Sequence, residues 1–295
     1  MRTAKSTALL IAIVVLLAAC GHASTAPTQA VRGSQPTSSP GSSPRADVPA
    51  PPLVVIFMEN KERSTIVGNA TAPYMNQLLA RGKDFVNYNA VTHPSLPNYL
   101  ALASGTTAGK DGTDTIAAGE LQHIATVWNQ LSDAGITFNV YEESMLSTCY
   151  SGTSSGQYQL KHNPAIPFAE VFDNAAVCAR VKPYTTGAPL AQVNFVAPNM
   201  CNDSHDCSAT TGDEWLRANV PGMIAQGAQV VITYDEGSTS TNGGGNVYCV
   251  EMYQGISHST VTATFNHYSI LAAIEKRFGL PYLGAAAAVT PLPLS

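Results

Sequence analysis

Basic side chains are in short supply. With Arg2, Lys5, Arg32, Arg45 and the lone acid Asp47 of the first fifty residues set aside, residues 51–295 carry 11 basic and 19 acidic side chains, a formal charge of −8. That excludes a nonspecific nucleic-acid binder, which needs a basic face. No apolar run is long enough to span a bilayer comfortably: the longest, over residues 8–19, falls short of the roughly 20 residues that a spanning helix requires. No Cys-x-x-Cys spacing occurs, which argues against a structural zinc site, and no internal repeat is evident. Histidines are few, seven in all, so their neighbours carry information.

What is present divides the chain in three. Arg2 and Lys5 precede the apolar run, and Leu17-Ala18-Ala19-Cys20 closes it, the pattern of an export signal with a lipoprotein-type ending. Residues 1–20 therefore read as a signal peptide with Cys20 as the lipidation site. A modified Cys20 would bring the membrane in as a partner and make the chain a cell-surface lipoprotein; unmodified, the chain would be secreted. Residues 21–50 are Ser, Thr, Pro, Ala and Gly, too poor in bulky apolar groups to offset the entropy of ordering, and read as a flexible tether. Residues 51–295 are long enough for one α/β domain with a substantial core.

Within that domain the continuous apolar runs LVVIFM at 53–58 and QVVITY at 229–234 read as strands buried on both faces. Further strands are expected over 136–141 and 192–197, and helices over 72–81, 123–134, 212–225 and 267–278. The alternation indicates a layered α/β fold with helices on both sides of a largely parallel sheet, whose reactive groups gather beyond the carboxyl ends of the strands. Of the five cysteines after Cys20, Cys201 with Cys207 and Cys149 with Cys178 are the expected disulfides, leaving Cys249 unpaired.

Both long apolar strands end in polar pairs, Glu59-Asn60 and Asp235-Glu236, and this architecture would bring the pairs to one edge, where oxygen ligands suit a hard divalent cation of unspecified identity. Ser95 stands at the start of a helix with Pro97 in its first turn. There it is either a hydroxyl facing the anion-binding end of a helix or simply an N-cap. Lys161 beside His162 makes a cationic point, Asp203 and His205 lie two apart after an expected strand, and His267 begins the last helix.

These segments also resemble a known family. Met58-Glu59-Asn60-Lys61, Thr92-His93-Pro94-Ser95-Leu96-Pro97-Asn98-Tyr99, Lys161-His162-Asn163-Pro164, Asn202-Asp203-Ser204-His205-Asp206, Thr233-Tyr234-Asp235-Glu236-Gly237 and His267-Tyr268-Ser269 are similar, in order, to the bacterial phosphoesterase family that groups acid phosphatases with phospholipases C. The resemblance implies an alkaline-phosphatase-like three-layer α/β/α sandwich around a mixed, largely parallel sheet. It implies hydrolysis of phosphate monoesters, phosphorylated small molecules or phosphoinositide lipids, through a metal-activated Ser95 and a phosphoserine. By the same resemblance Glu59, Asn60, Asp235, Glu236 and Asp203 are metal ligands. Asn98 and His162 are implied phosphate contacts, His205 and His162 are candidate proton donors, and Lys161, His93 and His267 are further candidate substrate contacts. A phospholipase C-type phosphodiesterase and a non-catalytic surface lipoprotein are the alternatives. A sulfatase is disfavoured by the lack of a Cys-x-Pro-x-Arg motif.

Overall fold

The computed structural model describes residues 50–295; the expected signal peptide, Cys20 and the tether up to residue 49 lie outside the described residues. The chain enters β1 (Leu53–Met58), all six of whose residues are buried, as a strand covered on both faces must be. One helical turn, α1 (Arg63–Ile66), and then α2 (Pro73–Arg81) lead to β2 (Lys83–Asn89) and α3 (Ser95–Ser104). After α4 (Val127–Asp133) come β3 (Phe138–Glu142), a hairpin of β4 (Ser154–Ser155) and β5 (Tyr158–Gln159), and a 3₁₀ turn at Leu160–His162. The helices α5 (Ala169–Phe172) and α6 (Ala175–Cys178) are followed by β6 (Val181–Pro183), β7 (Val193–Ala197) and the long α7 (Ala209–Ala225). The last elements are β8 (Gln229–Tyr234), β9 (Cys249–Met252), β10 (Ser259–Asn266) and α8 (His267–Phe278).

Eight strands form one sheet in the order β10-β2-β9-β8-β1-β7-β3-β6. Only β9 runs against its neighbours, so the sheet is mixed and largely parallel, as expected. Register places Met58 opposite Tyr234, which sends Glu59 and Asp235 out of the sheet side by side. Successive residues of β1 identify the two outer layers. The Phe57 ring lies 5.2 Å from Tyr99 of α3 and 4.9 Å from His267 of α8. Met58 points the other way, to Gly212 of α7, and the Tyr234 hydroxyl reaches the Met75 sulfur of α2 at 3.5 Å.

At Gly212 α7 packs directly against the end of β1. A Cβ there would lie 2.3 Å from Ser204 Oγ and 2.7 Å from Met58 Cε. Gly212→Ala is expected to destabilise the domain by about 1–3 kcal/mol in urea denaturation despite alanine's better helix propensity, because the packed neighbours must move. A variant as stable as the parent would show that the contact is soft.

Strands β2, β9 and β10 were not anticipated. β10 alternates Ser and Thr with small apolar residues and is largely exposed at the sheet edge, so it lacks the apolar run that marked β1. The helix expected from 123 begins at Val127, where Thr126 Oγ1 accepts the Asn129 N–H at 3.3 Å and sets the boundary. The expected disulfides are both present, Cys149–Cys178 with Cα atoms 5.2 Å apart and Cys201–Cys207 with 4.7 Å, and Cys249 is buried and unpaired. The C-terminal tail hugs the domain: Leu292 is buried and its N–H donates to the Ser269 carbonyl at 2.8 Å.

Candidate active site

The carboxyl ends of the parallel strands deliver the polar residues to one place. Glu59 follows β1, Asp235 and Glu236 follow β8, the segment 90–95 follows β2, and Asp203 and His205 follow β7. Pro94, not Ser95, is the N-cap of α3, and the Ser95 side chain makes no capping bond to that helix. The Ser95 hydroxyl lies instead 3.0 Å from Glu59 Oε2 and 3.3 Å from Glu236 Oε1, acids 36 and 141 residues away in sequence. Of the two readings open for Ser95, the capping one is therefore not what this structure contains.

Around that hydroxyl is a nest of buried acids. Glu59, Asp203 and Asp235 have no exposed surface. The Asn60 N–H, on a left-handed backbone with φ 61°, donates to Asp235 Oδ1 at 3.1 Å, and the Tyr99 hydroxyl donates to Glu59 Oε1. Asp203 Oδ1 accepts the His205 N–H at 2.7 Å. Burial, reinforced by the neighbouring carboxylates, pushes the pKa values of Glu59 and Asp235 well above the ordinary range and raises that of Glu236. Burial likewise pushes Asp203 up to about 8, against the His205 N–H bond that favours its anion. Asp203 Oδ2, Asp235 Oδ2 and His162 Nε2 are buried without a hydrogen-bond partner.

Histidines and a lysine complete the rim. His162 stacks on Tyr99, ring centroids 5.3 Å apart, and lies 3.4 Å from Glu59 and 3.6 Å from Asp203. Burial, with Lys161 and His205 nearby, holds its pKa well below the usual histidine value. Ligand atoms of Glu59, His162 and His205 lie within 4.8 Å of one another. His93 hydrogen-bonds Glu236 through Nδ1 and the Thr239 carbonyl, 2.9 Å away, through Nε2. Partial burial opposes its charge, but these two acceptors outweigh it and keep its pKa above the ordinary value. Lys161 Nζ donates to Asp114 at 2.9 Å and lies 3.4 Å from His205 Nε2.

Two residues expected to contact substrate have other tasks. Asn98 is fully buried, its Oδ1 accepting the N–H groups of Val91 (2.9 Å) and Thr92 (3.2 Å) and its Nδ2 donating to the carbonyls of Thr92 (2.8 Å) and Pro94 (3.2 Å). All its polar capacity goes into fixing the segment that presents Ser95. His267 is equally enclosed, with Nε2 2.5 Å from the Asp235 carbonyl and Nδ1 3.0 Å from the Tyr88 hydroxyl. Burial lowers its pKa to about 4, so it holds Asp235 in place as a neutral ring. Sequence reasoning did not single out Tyr99 or Asp114. Tyr99 lies inside the Ser95 motif one helical turn on, a spacing that could have marked it; Asp114 had no such signal.

Residues 57–281 match the model of the phosphoesterase family. The phosphatidylinositol-3-phosphatase of Mycobacterium tuberculosis is 32% identical over 246 residues, covering 81% of each chain. The phosphate-repressible acid phosphatase of Penicillium chrysogenum is 30% identical over 79% of this chain, which spans 60% of that enzyme's length. Among solved structures, a protein of the alkaline phosphatase superfamily from Vibrio parahaemolyticus shares the fold with a TM-score of 0.50 at 11% identity, over 82% of this chain and 70% of its own. With an alkaline-phosphatase-like α/β sandwich, a family match over most of its length and a serine set among buried acids, the chain belongs to the phosphoesterase family and is a phosphoric ester hydrolase.

Proposed function

We propose that the chain hydrolyses phosphate monoesters by in-line attack of Ser95 Oγ on phosphorus. The observation that carries this reading is the placement of that hydroxyl between Glu59 and Glu236 at the amino end of α3. The oxygen–phosphorus bond to Ser95 forms as the bond to the leaving oxygen breaks, and the serine proton passes to Glu236, to which the hydroxyl already donates. His205, on the rim with Asp206 on its Nδ1 at 2.8 Å, gives that oxygen its proton. Water then attacks the phosphoserine, releasing inorganic phosphate and regenerating the hydroxyl. His162, neutral and enclosed, is the less suitable donor. Lys161 and His93 supply positive charge to the phosphoryl oxygens, which an acid-rich site must have if it is to admit an anion.

The donor set fits a divalent cation. Four gathered carboxylates with raised pKa values, and the unpartnered Asp203 Oδ2, Asp235 Oδ2 and His162 Nε2, form a buried cluster that a cation would satisfy. Glu59, Asp203, Asp235 and Glu236, with Asn60, would hold it, and His162, whose ligand atom groups with that of Glu59, extends the set. When bound, such an ion lowers the pKa of the serine hydroxyl and neutralises charge on the phosphoryl group. By analogy with the Mycobacterium relative's named activity, a phosphoinositide is one substrate of this class. Export fits the two disulfides, which persist in oxidising compartments, and lipidation of Cys20 remains part of the same reading.

Acid-quenching the enzyme during turnover of p-nitrophenyl phosphate should trap a phosphoryl group on the peptide containing Ser95, read by mass spectrometry. Turnover at the parent rate with no phosphoryl group trapped on that peptide would remove Ser95 as the nucleophile.

A further inference from the structure

Asp114 sits where an incoming phosphoryl group would find its counter-charges. Its Oδ1 accepts the Leu96 N–H at 3.0 Å, a donor adjacent to Ser95 in the first turn of α3 that has no partner within the helix. Its Oδ2 accepts from Lys161 Nζ at 2.9 Å. One carboxylate thus engages both the Lys161 ammonium at the site's rim and the main-chain donor next to Ser95, two groups suited to an anion. Burial works against the charge of Lys161, but Asp114 first, and then Glu59 and Asp235, outweigh it and raise its pKa.

Asp114 is also partly open to solvent. Its side chain is 31% exposed, whereas Ser95 is 1% exposed. It belongs to the loop between α3 and α4, in which Gly109 and Gly112 have left-handed backbones with open space around them. Next to it opens a cavity of about 300 Å³ lined by Thr115, Thr153, Ser154 and Gln159 together with Asp114 and Lys161. A displaced carboxylate would therefore reach water without crossing packed core.

We infer that Asp114 is an internal competitor for the phosphoryl seat: it occupies Lys161 and the Leu96 N–H in the resting enzyme, yields to the substrate's phosphoryl group, and returns to expel inorganic phosphate. The inference rests on the phosphatase reading of Ser95 and Lys161 given above. The free energy of displacing Asp114 does not depend on which anion displaces it. Substrate and product affinities are therefore lowered by a common factor, the fraction of molecules in which the seat is open. A weaker hold on product leaves turnover less limited by phosphate release.

The test uses the full chain with divalent cation present, comparing the parent with Asp114→Asn, whose amide oxygen can still accept the Leu96 N–H. Calorimetric binding of inorganic phosphate is expected to tighten about three- to tenfold, the scale of a partly exposed ion pair. KM for p-nitrophenyl phosphate should fall by a similar factor. If both constants rise, Asp114 positions Lys161 for substrate and the inference is wrong; if neither moves, Asp114 is a structural cap and it is equally wrong. Should Asp114→Asn fail to fold, Asp114→Ser keeps a short acceptor for Leu96 and gives the same reading. Because phosphate binding needs no chemistry, this outcome is independent of whether Ser95→Ala proves inactive.

Discussion

Ser95→Ala is expected to reduce kcat for p-nitrophenyl phosphate by about a thousandfold or more, since it removes the proposed nucleophile. The loss should not reflect unfolding. The Ser95 hydroxyl contributes one shared hydrogen bond to acids that keep other partners, Tyr99 on Glu59 and His93 on Glu236, so its removal should cost only about 1 kcal/mol in urea denaturation. Steady-state kinetics and denaturation on the same preparation separate the two effects. Retention of more than about a tenth of the parent rate would remove the hydroxyl from the mechanism, because covalent catalysis by a missing group leaves only residual turnover.

The second large effect concerns metal-free protein. Asp203 is pushed from an ordinary value of 3.8 up to about 8 in the folded state, and Glu59, Asp235 and Glu236 shift in the same direction. A carboxyl group whose folded pKa is raised binds its proton more tightly when folded. Its contribution to stability is complete below its unfolded pKa and is lost as pH rises through the folded one. The chelated protein should therefore melt highest near pH 4 and lose stability progressively toward pH 8. Divalent cation at neutral pH should replace the missing protons and raise the melting temperature by more than about 5 °C. Thermal melts from pH 4 to 9, with chelator and with added cation, check this. A chelated protein whose melting temperature rises across that interval, or one indifferent to cation, would mean that the acids are not the frustrated cluster described here.

Sequence legibility varied with how strongly each element is buried. The runs at 53–58 and 229–234 are central strands, covered on both faces, and their bounds match β1 and β8; α8 likewise begins and ends where its apolar spacing indicates. β2 opens on Lys83-Asp84 and β10 is half polar, so neither carries the pattern of a core strand, and both depend on partners distant in sequence. In the site, acids at the ends of parallel strands were legible because the fold itself brings such ends together. The tasks of Asn98 and His267 were not. Residue type makes either a plausible phosphate contact, but whether its donors and acceptors are free is decided by the Val91–Pro94 main chain, Tyr88 and the Asp235 carbonyl, which local sequence does not reveal. Asp114 was invisible for the same reason: Gly112-Thr113-Asp114-Thr115 reads as any polar loop.

The bridge between Cys201 and Cys207 closes a small ring that contains both Asp203 and His205. From the ring the Asp203 N–H reaches back to the Asn199 carbonyl and the Asp206 N–H to the Met200 carbonyl, each at 2.8 Å, just before the first cysteine. Ring closure removes conformational freedom from the segment whatever the rest of the chain does. None of the eight strands lies within the ring, so order in this loop and integrity of the sheet rest on different links, one of sulfur and one of main-chain hydrogen bonds.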